Sequence, residues 1–331
     1  MEIQETPKTL QQAIVFFSNP RNCLQYMIAR RWPNGVICPT CARNDARFLE
    51  RQGKWQCKSV HQRRQFSIKT GTIFEDSPLG LDKWLTAVWM ITNCKNGVSS
   101  YEIHRAIGVT QKSAWFMLHR IRLAMQSGTF AKQLTGHVEI DETYIGAKAR
   151  NMHKTVLKRR VEQHKTPVTG ATGRNQNLGK VVVMGLLERH GQVRTMVVDN
   201  TKRESLDVNI KKHVEPRTNV YTDKLRSYAH LNENDYMHAV IDHAKQYVDG
   251  QVHTNGIENF WSLLKRMLHG TYVSVEPYHL FRYLDEQSMR YNSRKGTDGQ
   301  RFKQVTEQVT GKRLTYRELT GKEPDEASSS H

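Results

Sequence analysis

Long apolar runs are missing from this chain of 331 residues. Val181 to Leu187 is among the longest, far short of the roughly 20 residues that span a bilayer, and the mean hydropathy is −0.67, so no membrane partner is expected. The N-terminus, MEIQETPKTL, has neither the basic opening nor the apolar stretch of an export signal, and the expected location is cytoplasmic. Cysteine is scarce and odd in number, five. That argues against a disulfide framework in a reducing compartment and makes clustered cysteines candidate metal ligands. Acidic residues are also few: 32 Asp and Glu face 50 Lys and Arg, a formal net charge of +18, which points to a polyanionic partner. The 37% of hydrophobic residues is enough for real cores and excludes wholesale disorder.

The first 35 or so residues carry Leu10, Ile14, Phe16, Phe17, Cys23, Leu24, Tyr26, Met27 and Ile28 at roughly helical spacing, a helical lead ending at Trp32-Pro33. Between Leu81 and Met125 the 3.6 period returns in two or three helices broken at Asn96-Gly97 and Gly108. A strand is expected from His137, HVEIDETYIG, followed by a basic, Gly/Thr-rich stretch from Ala147 to Gly179 that reads as a loop or hairpin insertion. Lys180 to Glu188 and Val193 to Asp199 are expected to pair as an antiparallel hairpin through Arg189-His190-Gly191-Gln192. Thr201 is the expected N-cap, with Glu204 in the capping-box position, of a helix carrying Leu206, Ile210 and Val214. Thr218 to Thr222 reads as a short strand ending at Asp223; helices are expected over Gly256 to Leu268 and Pro277 to Tyr291, and PDEASSSH as a frayed tail.

Cys38-Pro-Thr-Cys41 has metal-knuckle spacing, and Cys57-Lys-Ser-Val-His61 supplies a third thiolate and an imidazole. A Cys₃His set satisfies tetrahedral Zn²⁺, and so small a module needs such a staple to fold. The alternative for His61 is a surface histidine in the basic run HQRR. Cys23 and Cys94, in apolar helical contexts, read as small buried thiols. Lys58, Arg63, Arg64 and Lys69 next to the ribbon form a candidate phosphate-facing surface. SSYEIHRAIGVTQKSAWFMLHRIRLAM, from Ser99, has the pattern of a helix-turn-helix: Ile103 and Ile107 buried, Gly108 at the turn, and a second helix from about Thr110. Gln111 and Lys112 would then face base edges while Trp115, Phe116, Leu118 and Ile121 hold the helix in place; an ordinary helical hairpin is the alternative.

Three acids stand out in otherwise basic surroundings: Asp141 in a strand, Asp223 at a strand end, and Glu258 on the polar side of a helix whose apolar face is Ile257, Phe260, Trp261, Leu264 and Leu268. Lys265 lies two turns beyond Glu258, on the same side. Any one of these acids alone could be a cap or an ion-pair partner. Brought together they would attract two divalent cations, Mg²⁺ or Mn²⁺, for in-line phosphoryl transfer. Glu139, Glu142 and Asp199 are the reserve candidates.

The CxxC and CxxxH pairs, then RRQFSIKTGTIFEDSPLGLDKW, IDETYIG, YTDKLRSY, HTNGIENFWSLLKR and HLFRYLDEQSMRYNSRK, resemble over nearly the whole chain the ISXO-type insertion-sequence transposases, DDE transposases with an N-terminal zinc ribbon. The resemblance implies an N-terminal zinc ribbon and an α/β ribonuclease-H-like catalytic domain, and with the pattern of elements the chain reads as multidomain: a helical lead over 1–35, the ribbon over 36–75, a helical helix-turn-helix-like segment over 76–132, the catalytic domain with a mixed sheet over 133–295, and a C-terminal extension over 296–331. It implies Asp141, Asp223 and Glu258 as the metal-binding acids and Lys265 as the base that contacts DNA beside them. In some branches Asn takes the third position, and here Asn255 and Asn259 flank Glu258. The CxxxH pair departs from the commoner second CxxC but keeps tetrahedral zinc chemistry. The function it implies is binding of terminal inverted repeats, then cleavage and strand transfer, by a homodimer or higher oligomer on DNA. A zinc-dependent DNA-binding regulator, and a ribonuclease-H-like nuclease or resolvase without strand transfer, are the rival readings.

Overall fold

The computed structural model describes residues 6–126, 132–146, 153–164, 180–223, 226–231, 236–241 and 253–321. Two units emerge, Met1–Gln126 with Lys295–His331, and Ser127–Arg294. Among the described residues no helix is long and apolar enough to cross a membrane.

In the first unit, the hydroxyl of Thr9 caps α1 (Leu10–Phe17) by accepting from the Gln12 N–H, and Asn19 caps α2 (Pro20–Arg31), whose Pro20 sits where its missing N–H costs nothing. Ala13, Phe17, Cys23, Tyr26 and Met27 are buried, whereas Leu10 and Ile14, which share the helical spacing of the lead, are 43% and 50% exposed. An eight-residue helix buries one narrow stripe, here Ala13 and Phe17, and the neighbouring stripe turns outward. The ribbon follows as three short antiparallel strands, β1 (Arg47–Leu49), β2 (Lys54–Gln56) and β3 (Gln65–Phe66), around a Trp32, Trp55 and Phe66 aromatic core.

Three helices come next, α3 (Leu81–Asn93), α4 (Ser100–Ile107) and α5 (Gln111–Met125). Ser99 and Glu102 form a capping box on α4, and Gly108 stops it at φ +60, a left-handed position that a side chain would strain. Cys23 is buried as expected, its thiol pushed up to about 12 by burial above all, but Cys94 is exposed because it caps the end of α3 instead of lying within it. The segment set apart in the sequence as a C-terminal extension is built into this unit: α10 (Asp298–Glu307) packs Phe302 among Phe17, Tyr26 and Trp89 at ring separations of 5.0 to 5.5 Å, and Thr306 meets the Tyr26 hydroxyl at 3.1 Å. A short helix, α11 (Tyr316–Thr320), ends its described part, and PDEASSSH lies outside the described residues.

The second unit is built on a mixed five-stranded sheet: β4 (His137–Ile145), β5 (Val181–Glu188), β6 (Val193–Val198), β7 (Asn219–Asp223) and β8 (Met237–Ile241), in the order β6-β5-β4-β7-β8. β5 runs antiparallel to β4 and β6, as the hairpin reading required, while β7 and β8 run parallel to β4. One face, carrying Val138, Ile140, Met184, Leu186 and Val220, packs on Leu206, Ile210 and Val214 from α7 (Arg203–His213) and its C-cap. The other, carrying Val181, Val183, Leu187 and Val193, packs on α8 (Asn255–Met267) and α9 (Leu280–Asn292).

Two local expectations are corrected. Within Ala147 to Gly179, read as a loop or hairpin, residues 154–164 form a helix, α6 (Lys154–His164), since KTVLKRRVEQH has good helix formers and no Gly or Pro; the remainder, apart from His153, lies outside the described residues. Thr201 does not cap α7: the cap is Lys202, without a side-chain bond, and the Thr201 carbonyl instead accepts from Ser227 Oγ at 2.6 Å.

Candidate active site and zinc centre

Strand geometry sends alternate residues to opposite faces, so Glu139, Asp141 and Thr143 share the face of β4 that meets α8, and Val138, Ile140 and Glu142 share the other. Asp141 lies mid-strand. Two contacts lock strand to helix. Glu139 Oε2 accepts from the Ile257 N–H at 2.9 Å, and Asp141 Oδ2 accepts from the Trp261 indole N–H at 2.9 Å. The spacings match, because two residues along a strand cover about 6.6 Å and four along a helix about 6 Å. Close approach is possible because Asp141 pairs with Gly185, where a Cβ would lie 2.6 Å from the Trp261 ring and 2.7 Å from Ile257. Gly256 plays the same part on the helix: a Cβ there would lie 2.6 Å from Leu187 and 2.8 Å from Glu139 Oε2.

The parallel pairing of β4 with β7 sets Glu139 beside Tyr221, and two residues further along each strand come Asp141 and Asp223. Glu258, half-buried on the first turn of α8, accepts from the Thr254 hydroxyl at 3.0 Å, whereas Asn255 and Asn259 are exposed. Burial first, then the Asp223 carboxylate and more weakly that of Glu258, push the Asp141 carboxyl up to about 6 against the pull of a backbone N–H and the Trp261 indole. The three predicted acids are thus neighbours in the electrostatic sense. They do not form a closed ligand set: among the described residues the one group of potential metal ligands that converges is in the ribbon. Lys265 is exposed on the last turn of α8.

The reserve acids separate. Glu142 points to the opposite face, its Oε1 buried without a hydrogen bond among the described residues, and burial, Asp141 and Asp223 push it up to about 8. Asp199 is exposed at the end of the edge strand β6. Glu139 is fully buried and bound to Arg189, Nε to Oε1 at 2.8 Å. Sequence reasoning missed Arg189, placed only in a hairpin link, and the indole of Trp261, placed only on an apolar face. The available signal was polar: a Trp near a carboxylate needs a partner for its N–H when buried.

In the ribbon, the ligand atoms of Cys38, Cys41, Cys57 and His61 all lie within 4.8 Å of one another. Cys38 Sγ is 3.5 Å from His61 Nε2, and Cys41 Sγ is 3.5 Å from Cys57 Sγ. Local backbone makes this set. The Cys38 N–H bonds the Arg43 carbonyl, Ala42 takes a left-handed φ of 60 to turn the knuckle, and the Cys57 N–H bonds the Arg64 carbonyl. A hydrogen bond from the Arg43 backbone holds the Cys41 thiol below its ordinary value, the direction a thiolate ligand requires. The donors fit Zn²⁺ in type and number.

The predicted DNA contacts are partly committed within the first unit. Gln111 Nε2 donates to Ser100 Oγ at 2.9 Å, Lys112 Nζ lies 4.7 Å over the Tyr316 ring, and Arg64 Nε reaches the Cys57 carbonyl. Arg63 is exposed, with Glu75 at 3.8 Å. Leu118 and Ile121 hold α5 in the core as expected; Trp115 and Phe116 are only half-buried, against His119 and Tyr316.

Residues 133–292 match the family model of the ISXO2-like transposase domain, and residues 18–63 that of the transposase zinc-ribbon domain. The chain is 29% identical, over 76% of its length and 84% of the relative's, to an uncharacterized protein in transposable element ISH50 of Halobacterium salinarum. It is 34% identical, over 31% of its length and 82% of the relative's, to an uncharacterized transposase-like protein of Haemophilus influenzae. No solved structure matches the chain. A ribbon with its four ligands gathered, a mixed sheet carrying the acids, and these matches lead to one conclusion: the chain belongs to the ISXO2-like family of insertion-sequence transposases.

Proposed function

We propose that this protein binds the terminal inverted repeats of its element and catalyses divalent-metal-dependent DNA cleavage and strand transfer in a domain of ribonuclease-H-like fold, with Asp141, Asp223 and Glu258 as the metal-holding acids. The observation that carries the reading is the crowding of Asp141. Among the described residues, the largest influences on its carboxyl besides burial are two further acids, from β7 and α8, a backbone N–H and the Trp261 indole. A structural carboxylate is ordinarily matched with a cation; a cluster of like charges is the arrangement a divalent ion relieves. When bound, Mg²⁺ or Mn²⁺ supplies activation of a water or 3′-hydroxyl and stabilisation of the leaving oxygen.

The chain's own groups do the rest. Trp261 donates to one Asp141 oxygen and so orients the carboxyl. Glu258 is kept in the first turn of α8 by Thr254, and the exposed side chains of Asn255 and Asn259 favour Glu258 as the third acid. Lys265, exposed on the same side of α8, is the proposed contact to a DNA phosphate, and Arg63, Arg64, Gln111 and Lys112 are the proposed contacts of the first unit to phosphate and base. Two transposon ends require two such sites, which a homodimer or larger assembly on DNA provides.

Asp141→Asn, Asp223→Asn and Glu258→Gln each keep side-chain shape and remove one charge. Each is expected to bind terminal-repeat duplex as the parent does and to lose Mg²⁺-dependent nicking by orders of magnitude. Full nicking by all three variants would end the reading. Nicking without joining of the 3′ end to a second duplex would make the enzyme a nuclease.

A further inference from the structure

We infer that Arg189 and Glu139 form a positioning hub that sets the geometry of all three acids at once, and that neither is a metal ligand. The inference rests on the metal-site reading above and deepens it. Glu139 is 1% exposed and the Arg189 side chain 12%. Arg189 Nε donates to Glu139 Oε1 at 2.8 Å, and Arg189 Nη2 donates to the His253 carbonyl at 2.7 Å. The guanidinium carbon stands 4.1 Å from the centre of the Tyr221 ring, and the Tyr221 hydroxyl meets His137 Nδ1 at 2.7 Å. The second oxygen of Glu139 takes the Ile257 N–H at 2.9 Å, where the dipole of α8 favours a negative charge.

The hub touches every element that carries an acid, next to that acid. Glu139 precedes Asp141 by two residues on β4, Tyr221 precedes Asp223 by two on β7, and Ile257 immediately precedes Glu258 on α8. Apolar packing in this place would bury as much surface, and a buried ion pair is poor value as stabilisation alone. A planar guanidinium and a two-oxygen carboxylate differ from apolar groups in direction: they fix the angle and register of the first turn of α8 against both strands. Both Glu139 oxygens are occupied in doing so. Like charges spread over three elements come apart unless something holds the elements, and the hub does this without adding net charge to the site.

The test uses the full chain with its six tryptophans ¹⁵N-labelled. The Trp261 indole N–H bonds Asp141, so its resonance reports Mg²⁺ arriving there whether or not DNA is cut. Arg189→Gln and Glu139→Gln are expected to leave the other five indole resonances and DNA binding in place while raising the Mg²⁺ concentration at half-saturation about tenfold or more, with the double variant no worse than either single one. Nicking is expected to need the same raised Mg²⁺. Arg189→Lys, which keeps the charge but loses the fork, is expected to shift in the same direction and carries the test if Arg189→Gln does not fold. A folded Arg189 variant that titrates like the parent overturns the inference, as does an effect confined to Glu139→Gln, which would make Glu139 a ligand. Asp141→Asn separates the two claims: if it still titrates, the metal-site reading fails; if it does not titrate while the Arg189 variants behave as the parent, the hub alone fails.

Discussion

The ribbon and the acid site are both assembled to hold cations, and they are built in opposite ways. In the ribbon, ligand atoms from one stretch of 24 residues, 38–61, already lie within 4.8 Å of one another. The acids come from positions 141, 223 and 258, on two strands and a helix, and stop short of closure. The difference lies in where the ligands come from. Three cysteines and a histidine from one stretch can be gathered by tight turns, whereas carboxylates from three elements, whose burial and mutual repulsion raise Asp141, have to be held by neighbours such as Trp261. A ligand set drawn from one short stretch is brought together by local turns; one drawn from two strands and a helix needs tertiary restraint.

That contrast breaks most visibly by removing ligands. Cys41→Ser, or a strong chelator, is expected to take zinc from about one per chain to none and to unfold the ribbon, since structural zinc contributes on the order of 10 kcal/mol. Asp141→Asn removes a crowded charge and is expected to leave the unfolding midpoint of the second unit unchanged or raised. Metal analysis and calorimetry of both variants check this; zinc retained by Cys41→Ser would reassign the ligand set.

The tertiary restraint is testable without touching a charge. Gly185→Ala puts a Cβ 2.6 Å from the Trp261 ring, inside a packed sheet–helix contact, and is expected to cost about 1–3 kcal/mol in urea unfolding of the second unit. A cost near zero would mean that α8 slides on the sheet, and the acids could not then be held by it.

A smaller effect comes from the face of the sheet away from the acids. Burial first, then Arg194 and Lys212, bring His213 down to about 4. The unfolded chain takes up this proton near pH 6.5 and the folded chain only near 4, so the unfolded state binds more protons in between. Stability is expected to fall as the pH drops below about 6.5, by on the order of 1 kcal/mol between pH 7 and pH 5.5. His213→Gln flattens this part of the profile; an unchanged slope would assign the acid sensitivity elsewhere.

Short-range pattern made much of the molecule legible. The β5–β6 hairpin, the capping box that starts α4, the glycine that ends it, and the strand from His137 all follow from residues a few positions apart, where turn chemistry and period act directly. The helix within 147–179 was missed because basic and Gly/Thr-rich composition outweighed a short run of good helix formers. Leu10 and Ile14 are exposed although they share the period, because periodicity identifies an apolar stripe without saying how wide a stripe the neighbours cover.

What the sequence by itself determined is the ribbon's ligand set and the identity of the acids worth testing, because metal spacing and strand or helix period are local properties. Only the tertiary structure decided which of those acids face one another, that Glu139 belongs to an ion pair while Glu142 points away, and that Arg189, Tyr221, Trp261 and two glycines hold the acid-bearing elements together. Those choices depend on strand order and on the depth at which a helix docks, distances across the fold that no spacing along the chain encodes.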